Sequence, residues 1–217
     1  MSSCSEPQSK GTVLITGAAS GIGKATAELF AQRGWCCVLL DRDLERLWQL
    51  KSQLVSSNHQ KHLCRVLDLT DPAAIQSLGQ DLPELDALIN NAGMGMVGAV
   101  EDSTKEDILK LFNLNLVGAV QMKSAVMPKM REQKSGKIIN VSSIGSEMGL
   151  PFRGFYSASK SALDKVVEAM RSHLPECWYL LQTCQSKNDS LQSTKFSLPP
   201  EPGPNPLDLK HWPLFLQ

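Results

Sequence analysis

The stretch Thr12-Val-Leu-Ile-Thr-Gly-Ala-Ala-Ser-Gly-Ile-Gly23 restricts the fold more than any other part of the chain. Thr12 to Thr16 is a short β-branched apolar run without polar alternation, which suits a strand buried on both faces, as in a parallel sheet. Gly17, Gly21 and Gly23 follow at once. Ile22, Ala25, Thr26, Leu29, Phe30 and Arg33 then recur at helical spacing as far as Gly34, a natural helix stop. The unit is therefore strand, glycine turn, helix. Glycines let the backbone turn tightly and approach a ligand, while a helix N-terminus offers free N–H groups and partial positive charge. Together they suit a pyrophosphate. The spacing is G-x-x-x-G-x-G, not the G-x-G-x-x-G of many dinucleotide folds, so the strand and helix on either side carry the assignment.

The same alternation continues. Cys36 to Leu40 reads as a second strand ending in Asp41, in the region where a βαβ unit places an acid that binds ribose hydroxyls. A carboxylate there would repel a 2′-phosphate, so NAD is expected over NADP, although Arg42 softens that preference. Asp41 also fits a plain strand-end turn. Leu44 to Val55 predicts a helix, and His62 to Leu67 a third strand running into Asp68 and Leu69. Asp71-Pro72 predicts an N-cap followed by proline at the first helical position. Leu85 to Ile89 predicts a fourth strand leading into Asn90-Asn91-Ala92-Gly93, small and amide residues that suit close approach to a cofactor. Ser103-Thr-Lys-Glu106 predicts a capping box before one long helix whose inward stripe holds Leu111, Asn115, Ala119, Met122 and Val126. Asn115 is the polar outlier on that stripe and must find partners.

Lys137 to Ser142 predicts a fifth strand ending at Ser143. Tyr156 lies thirteen residues after Ser143 and Lys160 four beyond that. On a helix, Tyr156 and Lys160 share one face, where an ammonium favours tyrosinate. A phenol so tuned can exchange a proton with a carbonyl or alcohol oxygen, and a serine hydroxyl can hold that oxygen. Strands alternating with helices imply an α/β doubly wound parallel sheet. Ligands bind such sheets at the carboxyl ends of the strands, where Gly17, Asp41, Asp68, Asn91 and Ser143 all fall.

Several classes of function are disfavoured. Twenty-two basic residues balance twenty-two acidic ones, so neither nucleic acid nor an anionic membrane is an expected partner. No apolar run approaches the length of a membrane span, and the polar segment 1–10 lacks a signal-peptide core. A cytoplasmic protein with reduced cysteines is expected. The six cysteines show no C-x-x-C pair, so no metal is expected.

Thr16-Gly-Ala-Ala-Ser-Gly-Ile-Gly23, Asp68-Leu69, Asn90-Asn-Ala-Gly93, Asn115, Ser143 and Tyr156-x-x-x-Lys160 together resemble the short-chain dehydrogenase/reductase family, from about Thr12 to Leu174. Met148-Gly-Leu-Pro-Phe before Tyr156 looks like the 17β-hydroxysteroid and retinol dehydrogenase branch. The resemblance implies a Rossmann-like fold and hydride transfer between a nicotinamide and an alcohol or carbonyl, with a steroid, a retinoid or another lipophilic alcohol as substrate. It implies Tyr156 as the acid/base, Lys160 beside it and on the nicotinamide ribose, Ser143 on the reacting oxygen, and Asn115 holding a water of the proton relay. Gly17, Ser20, Gly21, Ile22 and Gly23 would cradle the pyrophosphate, with Asp41, Asp68, Leu69 and Asn91 completing the cofactor site. It also implies a homo-oligomer paired through the two long helices.

The chain departs from the family pattern after about Thr183. Trp178 to Thr183 suits a sixth strand, giving a cofactor-binding and catalytic domain over residues 11–184. Residues 185–217 hold six of the twelve prolines without helical or strand period, and predict an irregular tail. The expectation is a family member whose last strand and substrate lid are missing. Two other functions compete: a catalytically impaired relative acting by nucleotide binding or dimerisation, and a Rossmann-like transferase, which Ser143, Tyr156 and Lys160 disfavour.

Overall fold

The computed structural model describes residues 10–54, 61–173 and 180–186, with 171–173 and 180–186 described through their backbone. Six strands form one sheet: β1 (Thr12–Thr16), β2 (Cys36–Asp41), β3 (Leu63–Val66), β4 (Ala87–Asn90), β5 (Lys137–Ser143) and β6 (Leu180–Ser186). All pairings are parallel, in the order β3-β2-β1-β4-β5-β6. The order reverses direction between β1 and β4, which opens a crevice at their carboxyl ends.

Side chains alternate across the sheet and fill a core on each face. Val13, Ile15 and Leu39 pack against Phe30 of α1 (Gly21–Gln32) and Leu47 of α2 (Leu44–Gln53). On the other face Leu14, Leu88 and Ile138 meet three helices: α3 (Pro72–Asp81) through Ile75, α5 (Ala119–Gln133) through Met122 and Val126, and α6 (Gly154–His173) through Leu163 and Val167. Burial of each of these aliphatic side chains contributes about 1.5–3 kcal/mol. Cys37 is buried in the first of these cores, and desolvation pushes its thiol up to about 12. Cys36, Cys37 and Cys64 are free thiols.

The predicted N-cap at Asp71 forms: its carboxylate accepts from the backbone N–H of Ala73 and of Ala74, with Pro72 opening α3. The single long helix predicted after Ser103 does not. Its cap falls on Thr104, whose hydroxyl accepts from the Asp107 N–H at 3.1 Å and donates to the Asp107 carboxylate at 2.6 Å. Ser103 instead donates to the Ala99 carbonyl. Helix α4 (Lys105–Phe112) then widens into a π-helical turn over Asn113–Gly118 before α5 begins. A π turn shifts the helical phase, and here it points both Asn115 and Gly118 inward. Gly118 sits so close to the sheet side that a Cβ would lie 2.6 Å from the Leu69 carbonyl oxygen.

Strand β6 begins at Leu180 and runs through Ser186, paired with β5 from Lys137↔Leu180 to Ser143↔Ser186. Gln185 and Ser186, assigned from sequence to the irregular tail, are therefore sheet residues. The rest of that tail, the expected absence of a last strand and lid, and segment 1–9 lie outside the described residues.

Candidate active site

At the crevice, the carboxyl ends of β1 and β4 are tied by side chains. The buried Thr16 hydroxyl accepts from the backbone N–H groups of Asn91 and Ala92, both at 3.0 Å. The Asn91 amide donates to the carbonyls of Thr16 (3.0 Å) and Gly17 (3.2 Å). Gly17 and Gly21 hold φ of 64° and 52°, a left-handed backbone that glycine alone adopts without strain. A Cβ on Gly23 would lie 2.1 Å from the Gly17 carbonyl oxygen. The loop is thus closed on itself against the first turn of α1. Ser20 sits at the N-cap in extended backbone and is exposed, its side chain makes no capping bond, and the first turn carries no acidic residue. Gly21 is exposed and Ile22 half-buried beside it. An uncapped helix N-terminus behind a left-handed glycine turn is a fit for a phosphate.

Asp41 stands half-buried at the end of β2. One of its oxygens accepts from the Ala19 N–H of the glycine loop, the other from Asp43 N–H, both at 3.1 Å. It braces the loop and makes the strand-end turn, with its outer lone pairs unused by these bonds. Asp68 is exposed just beyond β3 and accepts from the Thr70 N–H and hydroxyl, which hold its carboxyl below the usual value; Arg42 adds a smaller pull. Leu69 is a buried core residue, so only its backbone faces the rim.

The end of β5 meets the first turns of α6. Ser143 is buried, and its Oγ accepts from the Gly145 N–H at 3.1 Å. A Cβ on Gly145 would lie 3.1 Å from the Ser157 hydroxyl and 3.5 Å from that of Ser143, so these two serines share one small space. Tyr156, next to Ser157, is half-buried in the first turn of α6. Lys160, one turn on, is buried and donates to the Val141 carbonyl at 2.9 Å. Burial pulls its amine down to about 8, against an opposing attraction from Asp164. Gly93 makes room for this group: a Cβ there would lie 3.5 Å from the Lys160 amine and 3.2 Å from Asn115 Oδ1. The Asn115 side chain, 1% exposed, accepts from Met94 N–H (2.8 Å) and donates to Met94 C=O (2.9 Å) and the Ser159 hydroxyl (3.1 Å). Both of its amide protons are therefore spent on protein.

Ser143, Lys160 and Asn115 gather around the β5–α6 junction, and Gly17, Gly21, Gly23 and Asn91 gather at the crevice. Asp41 touches the glycine loop, and Asp68 lies one strand further out, where the N–H of neighbouring Leu67 donates to the Asp41 carbonyl at 2.9 Å. Three residues went unnoticed in the sequence. Ser142 donates to Asp164 at 2.9 Å, and Lys123 is wholly buried on α5. Lys123 falls between Met122 and Val126, a polar intruder in an apolar stretch like Asn115, and that was the available signal. Among the described residues, no group of three or more His, Cys, Asp or Glu is placed to hold a metal, and no helix is long and apolar enough to cross a membrane.

Comparison with known proteins agrees with this architecture. A 3-ketodihydrosphingosine reductase of Bacteroides thetaiotaomicron is 42% identical over 162 residues, covering 73% of this chain and 56% of the relative. Dehydrogenase/reductase SDR family member 7B of Mus musculus is 35% identical over 171 residues, covering 76% and 53%. The chain thus spans about half the length of the curated relatives it matches. The crystal structure of a metagenomic short-chain oxidoreductase in complex with NADP superimposes with a TM-score of 0.77 at 26% identity, covering 83% of each chain. The family model described as short chain dehydrogenase matches residues 11–177, and the chain belongs to that family.

Proposed function

We propose that this chain is an NAD(P)-dependent oxidoreductase that moves a hydride between the nicotinamide and an alcohol or carbonyl carbon. The observation that carries this reading is the junction of β5 with α6, which sets Ser143, Tyr156 and Lys160 at the same sheet rim as the glycine loop. Gly17, Ser20, Gly21, Ile22 and Gly23 would hold the pyrophosphate, with Asn91 bracing them and the backbone of Leu69 nearby. Asp41 would take ribose hydroxyls on its outer lone pairs, which favours NAD over NADP, and Asp68 would bind the adenine amino group. The nicotinamide supplies or accepts the hydride when bound.

The residues of the chain then handle the proton. Ser143 Oγ would hold the substrate oxygen. Tyr156 would give that oxygen a proton during reduction or take one during oxidation. Lys160 would bind the nicotinamide ribose and keep positive charge one turn from the phenol, where it favours the anionic oxygen left by proton loss. With both amide protons of Asn115 committed, its backbone is the part left to hold a relay water.

The loops over Ser143 support a lipophilic substrate. Ile144, Met148 and Phe152 are exposed, as is Val97 opposite, and Gly98 N–H joins the two loops by donating to the Phe152 carbonyl at 2.8 Å. The likeness to a 3-ketodihydrosphingosine reductase points the same way, toward a long-chain ketone or alcohol as well as steroids and retinoids. Two copies would pair through the α4–α5 and α6 helices, and a monomer at all concentrations in sedimentation equilibrium would contradict that pairing.

The test is a calorimetric titration with NAD and NADP, followed by nicotinamide absorbance with long-chain keto compounds, steroids, retinol and secondary alcohols. Binding heat and turnover are expected. Absence of both would refute the reading, and binding without turnover would favour the impaired, partner-binding alternative. Tyr156→Phe is expected to lower turnover about 100-fold or more while leaving NAD binding intact; full activity in that variant would remove Tyr156 from its role.

A further inference from the structure

Below the rim, where α5 and α6 cover β4 and β5, lies a polar cluster that cofactor binding leaves unexplained. Asn90 and Asn140 are partners across the two strands. The Asn90 amide donates to Asn140 Oδ1 (3.1 Å) and to the Ala119 carbonyl (3.2 Å). Lys123 lies one turn beyond Ala119 on α5 and is 0% exposed. Ser142 is on the same side of β5 as Asn140 and donates to Asp164 Oδ2 at 2.9 Å. Asp164 lies one turn beyond Lys160 on α6. Four buried atoms in this region have no hydrogen-bond partner among the described residues: Lys123 Nζ, Asp164 Oδ1, Asn90 Oδ1 and Asn140 Nδ2. A native interior tolerates such orphans rarely, and here they include one cation and one anion.

We propose that Asp164 is a positioning residue for Lys160: its carboxylate, fixed by Ser142 and opposed from α5 by Lys123, keeps the Lys160 amine a cation on the Val141 carbonyl. This rests on the oxidoreductase function proposed above. Asp164 attracts both amines against the burial that lowers each of them to about 8. Few other charges face the group. On α6, Tyr156 lies one turn before Lys160, and Lys165 is exposed and paired with Glu168. β5 contributes only Lys137 at its far end, and the charged residues of α4 are exposed. β4 and the π turn offer neutral amides, and Cys184 is the one titratable residue of β6. Two lysines thus compete for one carboxylate, so removing the carboxylate and removing the competing lysine shift Lys160 in opposite senses. A merely structural role gives no such opposition.

The experiment compares Asp164→Asn, which keeps an acceptor for Ser142 while losing the charge, with Lys123→Met. Protein labelled with 13C at lysine Cε reports the titration of Lys160, its resonance assigned by loss in Lys160→Arg. The midpoint is expected to fall about one pH unit in Asp164→Asn and to rise in Lys123→Met. At a pH equal to the wild-type midpoint that fall predicts about fivefold lower turnover, and two pH units below the midpoint little change. Unmoved midpoints, or equal losses at the midpoint and two units below it, overturn the proposal. The upward shift in Lys123→Met decides the matter alone if Asp164→Asn does not fold. Midpoints that move as stated in a protein without turnover would leave the electrostatic coupling intact and remove the oxidoreductase reading instead.

Discussion

Gly23→Ala is the sharpest probe of the glycine loop, because two opposed effects of known size meet at one atom. Alanine is the better helix former, by up to about 1 kcal/mol in a helix interior. Against this, the new Cβ would stand 2.1 Å from the Gly17 oxygen and 2.6 Å from the Asn91 amide nitrogen, when real contacts essentially never fall under 3.0 Å. The obstacle is backbone on one side and a doubly bonded amide on the other, so neither yields by a rotamer change. Forcing the loop away from α1 costs about 1–3 kcal/mol in overpacking. It also breaks the Asn91 bonds to Thr16 and Gly17, at about 1 kcal/mol each. The clash wins, with a net loss of about 2–4 kcal/mol. For a chain of this size that corresponds to a melting temperature lower by about 4–16 °C. Differential scanning calorimetry reads the stability, and calorimetric titration with NAD reads the loop, where affinity is expected to fall about tenfold or more. An alanine variant with unchanged melting and unchanged NAD affinity would refute the argument from loop geometry.

Asn115→Ala removes three hydrogen bonds around Met94 and Ser159 and is expected to lose about 2–4 kcal/mol in urea unfolding; a loss under about 1 kcal/mol would show that the π turn does not depend on that amide. Cys37 makes a distinct prediction for alkaline pH. Its thiol keeps its proton to about 12 when folded but releases it near 9 when unfolded, so rising pH above 9 stabilises the unfolded chain, by up to about 1.4 kcal/mol per pH unit. The buried Lys123 and Lys160 act oppositely between about 8 and 10.5, because there the unfolded chain binds more protons. Cys37→Ala should therefore make the change in stability between pH 8 and pH 10, measured by urea titration, more positive by about 1.4 kcal/mol, and an identical change in variant and wild type would contradict it. Asp71→Ala should cost about 1 kcal/mol through loss of the α3 cap, read as a lower urea midpoint, and an unchanged midpoint would contradict that role.

The parallel sheet was legible because β1, β2 and β4 are short, mostly apolar runs and the connections carry their own punctuation. Thr12–Thr16 and Asp71-Pro72 fall where expected. The helix after Ser103 was misjudged for a physical reason. A 3.6-residue stripe through Leu111, Asn115 and Ala119 looks continuous, and only the packing of Asn115 on Met94 and of Gly118 on Leu69 favours the wider turn. Tertiary contacts decided there. The rim residues Ser143, Tyr156 and Lys160 were visible as spacing, yet their supports were not. Ser142 was read only as the end of the fifth strand, and Lys123 was not singled out although it interrupts an apolar stretch between Met122 and Val126. The tail from Gln185 onward was argued from composition, and its first two residues, Gln185 and Ser186, answer to β5 through backbone pairing that composition does not encode.

The two amide bonds of Asn91 join segments 74 and 75 residues apart, and they carry a consequence for the order of events during synthesis. The glycine turn after β1 leaves the ribosome early, with α1 already able to form behind it. Its final shape depends on a side chain delivered by β4. Until about three further elements have been made and β4 has docked, the turn is a flexible loop with no fixed partner for its carbonyls. Nucleotide added during translation is thus expected to have little to grip on nascent chains ending before Asn91, and to begin protecting them from protease only once that residue has cleared the exit tunnel.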